Sequence, residues 1–175
     1  ERYARLHWAY FERFVTAETH WLVPDNFQDD PVPVVAMRTS PTNIGLQLLA
    51  TVSAHELGFV PLEEMTARLE ATFESLGRMA RYRGHFYNWY DLETLAVLPP
   101  AYISTVDSGN LAGHLVALRQ ACLALATPGP CATRLAAIAE RAYGYAMAMD
   151  FSFLYAEDRQ LLSIGYQEGS HTLDP

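Results

Sequence analysis

The side chains best suited to binding chemistry lie between Arg83 and Asn110, where aromatic rings alternate with amides and carboxylates. The rings are those of Phe86, Tyr87, Trp89, Tyr90 and Tyr102, and the polar groups are those of Asn88, Asp91, Asp107 and Asn110. Aromatic rings can stack on the apolar C–H faces of a pyranose, while amides and carboxylates bind its hydroxyl groups. A protein core does not need so many polar groups among its aromatic residues. The segment therefore favours a carbohydrate ligand.

The run from Tyr87 to Asp91 is the strongest candidate for ligand contact within this segment. We expect Trp89 or Tyr90 to stack on the sugar, and Asn88 and Asp91 to bind its hydroxyls. Tyr87 belongs to the same predicted site. The alternative is that the rings pack in the core while Asp91 stabilises a turn.

A second candidate follows at Ser104–Asn110, where Asp107 and Asn110 could face a ligand from the start of a helix. Ser104 and Asp107 are also spaced as in a capping box, and an acidic residue in the first turn favours the helix dipole. Both roles stay open for Asp107, because a carboxylate has more acceptor sites than a cap uses.

The third candidate opens another predicted helix, where Ser40 is a favoured cap and Pro41 a favoured first residue. Thr42 and Asn43, which follow, are placed to touch a ligand. No Gly-rich phosphate loop accompanies them, so we expect no UDP-sugar site in this chain.

Glycosidic chemistry normally needs two carboxyl groups, and the acids that qualify for inspection are Glu56, Asp91 and Asp107. Sequence cannot measure their separations, so no catalytic residue is assigned. The six His residues are scattered without a metal-binding spacing, and only His85 lies in the aromatic segment. We expect no metal and no cofactor.

Charge and composition exclude several classes of partner. The chain has 175 residues, a net charge of −8, and twelve basic residues that are all Arg. An acidic chain without a basic patch argues against binding nucleic acid or anionic membrane. No apolar run approaches the ~20 residues of a membrane span, so we expect a soluble segment. Cys122 and Cys131 are expected to be free, structural thiols.

The elements that must position these side chains are mostly helices. Apolar periodicity predicts five helices: from the start to about Thr19, from Ser40 to Gly58, from Pro61 to Gly84, from Ser104 through Leu125, and from Ala132 to Met149. The aromatic segment is predicted to be a loop, and alternation over residues 152–166 predicts a short hairpin. The expected fold class is mainly α.

Four ordered motifs carry a family resemblance. They are RTSPTNIGLQLLAT (residues 38–51), GHFYNWYD (84–91), STVDSGNLAGHL (104–115) and LLSIGY (161–166). Together they resemble the central region of the bacterial cyclic β-1,2-glucan synthases, the NdvB-like proteins. The same block resembles the glucoamylase-like domain of β-1,2-glucan hydrolases.

This resemblance implies part of an (α/α) toroid, like that of the six-hairpin glycosidases, whose loops at one end form the sugar cleft. Residues 1–175 would then be one fragment of such a domain, cut from a much longer chain, with the acid and base lying beyond Pro175. The expected ligand is β-1,2-glucan, handled during elongation and cyclisation by transglycosylation. The expected partners are the other domains of the parent synthase, and a homodimer would cover any apolar face left exposed.

The resemblance also implies a location at the cytoplasmic face of the bacterial inner membrane, held there by the parent protein. Two alternatives remain: a β-1,2-glucan hydrolase of the same fold, and a glucan-binding module without chemistry.

Overall fold

A computed structural model of the chain describes residues 1–174, and it confirms a mainly α fold. The helices are α1 (Arg2–Phe14), α2 (Pro41–Glu56), α3 (Leu62–Arg78), α4 (Thr105–Leu125) and α5 (Ala132–Ala148). Short 3₁₀ turns occupy Ala17–Thr19 and Phe151–Leu154. None of the helices in the described part is long and apolar enough to cross a membrane.

The first helix is shorter than predicted. It ends at Phe14, because Val15 takes an extended conformation and Thr16 starts the following 3₁₀ turn. Leu6 on this helix is 60% exposed, whereas Trp8 is buried at 3% exposure.

The third helix also ends early, and Gly84 has a different role from the predicted stop. Helix α3 ends at Arg78, and Met79 is extended. Arg83 and Gly84 both have positive φ and form the turn between β4 (Arg81–Tyr82) and β5 (His85–Phe86). The aromatic segment is therefore partly strand rather than loop.

The core forms where α4 packs between α2 and α5. The buried face of α4 is formed by Leu111, Leu115, Leu118 and Cys122, which are all fully buried. Burial of one such side chain stabilises the fold by about 1.5–3 kcal/mol. This packing fixes where the first turn of α4 lies relative to the first turn of α2.

Short strands connect the helices. The remaining strands are β1 (Phe27–Gln28), β2 (Val34–Val35), β3 (Arg38–Thr39), β6 (Tyr90–Asp91), β7 (Tyr102–Ser104), β8 (Tyr155–Ala156), β9 (Leu161–Leu162), β10 (Gly165–Gln167) and β11 (Thr172–Asp174). The short hairpin predicted over residues 152–166 is confirmed as β8 and β9, although it is shorter than that range.

Two strand pairings that the sequence did not predict bring distant segments together. Strand β3 pairs antiparallel with β6, and β10, which forms the C-terminal hairpin with β11, pairs antiparallel with β7. The first pairing places Arg38 opposite Asp91, and the second attaches the C-terminal hairpin to the strand that leads into α4.

Candidate functional site

Asn88 links the aromatic segment to the first turn of α4. With its amide nitrogen toward Asp107 Oδ2, at 3.2 Å, its oxygen accepts from Trp89 Nε1 at 3.0 Å. This orientation satisfies both ends of the amide, which is how such side chains are assigned. Three predicted site residues therefore form one hydrogen-bonded chain.

Trp89 is also held on one face of its ring. The Arg38 guanidinium carbon lies 4.3 Å from the centre of the indole, which is a cation–π contact. Arg38 is anchored in turn by Asp25, whose Oδ2 lies 3.1 Å from Nη2 and 3.3 Å from Nε. The indole is half-buried, so part of it remains open to solvent.

The first turn of α2 joins the same cluster. Asn43 Nδ2 donates to Asp25 Oδ1 at 3.1 Å, and Asn110 Nδ2 donates to Thr42 Oγ1 at 3.2 Å. The second bond connects the starts of α2 and α4 directly.

Both helix starts are fixed by the predicted caps. Ser40 Oγ accepts from Asn43 N at 3.2 Å, and Ser104 Oγ accepts from Asp107 N at 3.1 Å. The side chain of Asp107 is left to face Asn88. The structure thus brings together most of the predicted residues: Thr42, Asn43, Asn88, Trp89, Asp107 and Asn110. We call these six residues, with Asp25 and Arg38, the rim cluster.

The predicted stacking of Tyr90 on a sugar is wrong. Tyr90 is fully buried, its hydroxyl donates to Ala80 O at 2.6 Å and accepts from Tyr87 N at 2.8 Å, and burial raises its pKa. No face of its ring is open to a sugar, so Tyr90 supports the segment from inside while Trp89 lies outside.

Tyr87 is likewise mostly buried, at 7% exposure, and its hydroxyl donates to Glu168 Oε2 at 2.7 Å. Burial is the main cause that raises the pKa of Tyr87, and the bond to the Glu168 carboxylate raises it further. The contact ties the aromatic segment to the C-terminal hairpin. Any part that Tyr87 takes in binding would act through its hydroxyl and Glu168.

Asp91 stabilises a turn, as the alternative interpretation expected. Its Oδ1 accepts from Thr94 N and Thr94 Oγ1, both at 2.8 Å, and from Glu93 N at 3.0 Å. The bonds from Thr94 hold the pKa of this carboxyl below its usual range. Its contact with a sugar hydroxyl stays a prediction.

Of the three acids proposed for inspection, Glu56 lies far from the rim cluster. Glu56 is the last residue of α2, whereas Asn43 of the rim cluster is in its first turn. Thirteen residues of helix separate the two by about 20 Å. Glu56 therefore lies at the opposite end of α2 from the rim cluster, which contains Asp107.

Two other acids lie near the aromatic segment and were missed. Glu168 is bonded to Tyr87, and Asp174 Oδ2 accepts from Tyr102 at 3.0 Å. Both belong to the C-terminal hairpin, whose pairing with β7 joins residues more than 60 positions apart. Asp25, in a stretch rich in Pro and Asp (residues 23–35), is a third acid that the sequence analysis did not select.

Residues 1–174 contain no group of three or more His, Cys, Asp or Glu side chains that could hold a metal ion. An apolar groove of about 400 Å³ lies between α1 and α2, lined among others by Trp8, Leu46 and Phe59. Its lining is mostly apolar, with only His7 and Ser53 to bind hydroxyl groups, so the rim cluster is the better candidate.

Solved structures with the same architecture define the class of fold. A candidate glucoamylase from Bacteroides caccae matches with a TM-score of 0.79 at 21% identity, over 96% of this chain and 40% of that one. The endo-β-1,2-glucanase from Chitinophaga pinensis, in complex with sophorotriose and glucose, matches with a TM-score of 0.74 at 18% identity, over 93% and 38%. The predicted glucoamylase-like (α/α) toroid fold is confirmed.

Residues 2–109 match the DUF3131 family, described as a protein of unknown function, and the chain belongs to that family. It is also 55% identical over 119 residues to the cyclic β-(1,2)-glucan synthase NdvB of Rhizobium meliloti (strain 1021). This confirms the predicted resemblance. The match covers 68% of this chain but only 4% of the synthase.

Proposed function

We propose that this chain is a glucan-contacting part of a cyclic β-1,2-glucan synthase, which acts on the glucan during elongation and cyclisation by transglycosylation. The observation that carries the proposal is the 55% identity to the synthase of R. meliloti. The aligned 119 residues are enough to relate the two proteins closely, although they are a small part of that synthase.

The rim cluster supports a neutral sugar as the ligand. The cluster combines one partly exposed indole with the amides of Asn43 and Asn110, the hydroxyl of Thr42 and the carboxylate of Asp107. Such a set offers a stacking surface together with both donors and acceptors for hydroxyl groups. The net charge of −8 does not oppose a ligand that has no charge of its own.

The proposal gives this chain a binding role and leaves the bond-forming step to the complete domain. Glycosyl transfer needs two carboxyl groups on opposite sides of the scissile bond. We propose that both acids lie in the rest of the domain, while Asp107, linked to Trp89 through Asn88, binds sugar hydroxyls. Residues 1–175 are accordingly proposed to be a fragment of one toroid, inactive without its remaining helices.

A β-1,2-glucan hydrolase of the same fold is the second candidate. The fold is shared with the glucanase of C. pinensis, but the identity of 18% there is far below the 55% to the synthase. A binding module without chemistry is the third candidate. It predicts that the complete domain binds glucan and neither transfers nor cleaves it.

We propose β-1,2-glucan and the other domains of the parent synthase as the partners, at the cytoplasmic face of the bacterial inner membrane. A homodimer stays a prediction, and sedimentation of the chain at several concentrations would test it.

Titration with linear β-1,2-glucooligosaccharides, followed by tryptophan fluorescence, tests the proposal. We expect a saturable change that β-1,3-glucooligosaccharides do not give. Replacing Trp89 by Ala should weaken binding by about 2 kcal/mol, because a stacked aromatic ring is a typical binding hot spot. Trp21→Phe is the control variant. Equal affinity for both linkages, or for Trp89→Ala and wild type, would refute the assignment.

A further inference from the structure

We propose that Arg38, held by Asp25, is a positioning residue that covers one face of Trp89 and leaves a single indole face for sugar. The inference rests on the proposed function and deepens it. The site would take one pyranose ring, stacked from one side only.

The first step is the contact between the guanidinium and the ring. At 4.3 Å from the centre of the indole, the guanidinium carbon is well within the range of a cation–π interaction. A planar guanidinium at that distance leaves no room for a pyranose on the same face. The Arg38 side chain is 48% exposed, so the surrounding core does not force it into this position.

The second step is the anchor that keeps Arg38 there. Asp25 Oδ2 accepts from both Nε and Nη2 of Arg38, while its other oxygen accepts from Asn43. The backbones of the two residues are joined as well, since Asp25 N donates to Arg38 O at 2.7 Å. The Asp25 side chain is only 18% exposed, which protects the pair from screening by salt.

The third step is the constraint at the edge of the indole. Trp89 Nε1 donates to Asn88, which is held by Asp107. Strand β3, which contains Arg38, pairs with β6, whose first residue directly follows Trp89. The ring is therefore fixed at one face, at its N–H and through its backbone, which lowers the entropic cost of stacking a sugar.

A different role for Arg38 would be to bind the sugar directly with donors that Asp25 does not use. The two roles differ in one measurable way. If Arg38 acts through Trp89, removing the Arg38 side chain lowers the affinity for glucan only while Trp89 is present. If it binds the sugar itself, its removal costs the same with or without Trp89.

The experiment is a double-mutant cycle, with affinity for a linear β-1,2-glucooligosaccharide measured by calorimetry. We expect Arg38→Gln to weaken binding about fivefold in the wild-type background. In the Trp89→Ala background the same change should weaken it less than about twofold. Arg38→Lys should fall between wild type and Arg38→Gln, because Lys keeps a cation near the ring but loses the fork to Asp25. Equal losses in the two backgrounds would overturn the positioning role.

Arg83→Gln is the matched control. Arg83 also lies over an aromatic ring, 5.2 Å from the centre of Phe153, and also has an Asp partner, Asp150 at 3.6 Å. Its replacement should leave glucan affinity unchanged, and a comparable loss there would count against a specific role for Arg38.

A measurement without sugar separates the failure of this inference from that of the proposed function. In a Trp8→Phe, Trp21→Phe background Trp89 is the sole tryptophan, and we expect Arg38→Gln to lower its fluorescence anisotropy. Unchanged anisotropy would refute the positioning of Trp89 by Arg38. A wild-type chain that binds no glucan would refute the proposed function and the single-face site with it, and the anisotropy would still decide whether Arg38 positions the ring.

Discussion

The Nδ1 atom of His85 lies 2.9 Å from Ser108 Oγ, so a fully buried imidazole joins the aromatic segment to the first turn of α4. The other nitrogen, Nε2, lies 2.9 Å from the carbonyl oxygen of Asp150. A carbonyl only accepts, so Nε2 carries the proton and neutral Nδ1 accepts from the serine hydroxyl. Since Ser108 follows Asp107, this imidazole helps to place the carboxylate of the rim cluster.

We predict that His85 makes the stability of the fold depend on pH. Burial lowers its pKa below the ordinary 6.5, and the contact with Asp150 only partly opposes this. Below about pH 6.5 the unfolded chain therefore takes up a proton that the folded chain resists. The stabilisation is complete above that pH and declines as the pH falls from the unfolded value toward the lower folded one.

Urea unfolding of wild type and His85→Asn between pH 5 and 8 checks this prediction. The stability difference between the two should shrink as the pH falls. Ser108→Ala is the companion variant, because it leaves Nδ1 buried without a donor and should cost about 1–3 kcal/mol. A difference that stays constant with pH would show that His85 does not titrate in this range.

The two serine caps should contribute about equally to stability. Ser40 and Ser104 each accept one backbone N–H at the start of a helix, and loss of such a cap typically costs about 1 kcal/mol. We expect Ser40→Ala and Ser104→Ala each to lower the urea midpoint, while Ser→Asp at either position should retain most of the stability. A midpoint unchanged by Ser→Ala would mean that water replaces the hydroxyl at no cost.

These caps were predictable because they are local. Ser40 and Ser104 bond to groups three residues away, and the buried face of α4 follows helical periodicity. The motifs that carry the family resemblance likewise gave the fold class, and six of the nine predicted site residues lie together in the rim cluster.

The contacts that sequence did not predict depend on pairing between distant segments. Arg38 reaches Trp89 because β3 pairs with β6, and Glu168 reaches Tyr87 because β10 pairs with β7. Strands of two or three residues are too short to show a period-two pattern. The burial of Tyr90 beside the more exposed Asp91 could therefore not be read from their order.

The two thiols are predicted to react slowly in the folded chain. Both are free and buried. Burial raises the pKa of Cys122 to about 11, and a bond to Glu63 raises the pKa of Cys131. Because the thiolate is the reactive form, a thiol reagent at pH 8 should modify Cys122 at least ~100-fold more slowly in folded protein than in urea, and Cys131 should also react more slowly. Rapid loss of one thiol per chain in native buffer would contradict this.

Gly84, in the turn that precedes the aromatic run, should be hard to replace by any residue with a side chain. It has φ +85°, and a Cβ at this position would fall against the carbonyl group of Ala148 at the end of α5. Gly58 provides a matched control, because it has φ +73° with open space around the position of a Cβ. Alanine at Gly58 therefore meets only the backbone penalty, which is about 1–2 kcal/mol.

We expect Gly84→Ala to cost at least about 2 kcal/mol more than Gly58→Ala in urea unfolding, since the backbone of α5 would have to move as well. The displacement should also reach His85, which follows directly in the chain and bonds to Asp150 just beyond α5. Gly84→Ala should therefore weaken glucan binding even where the chain remains folded, while Gly58→Ala should not. Equal stability losses for the two variants would show that the end of α5 yields freely, and the turn at Gly84 would then not constrain the site.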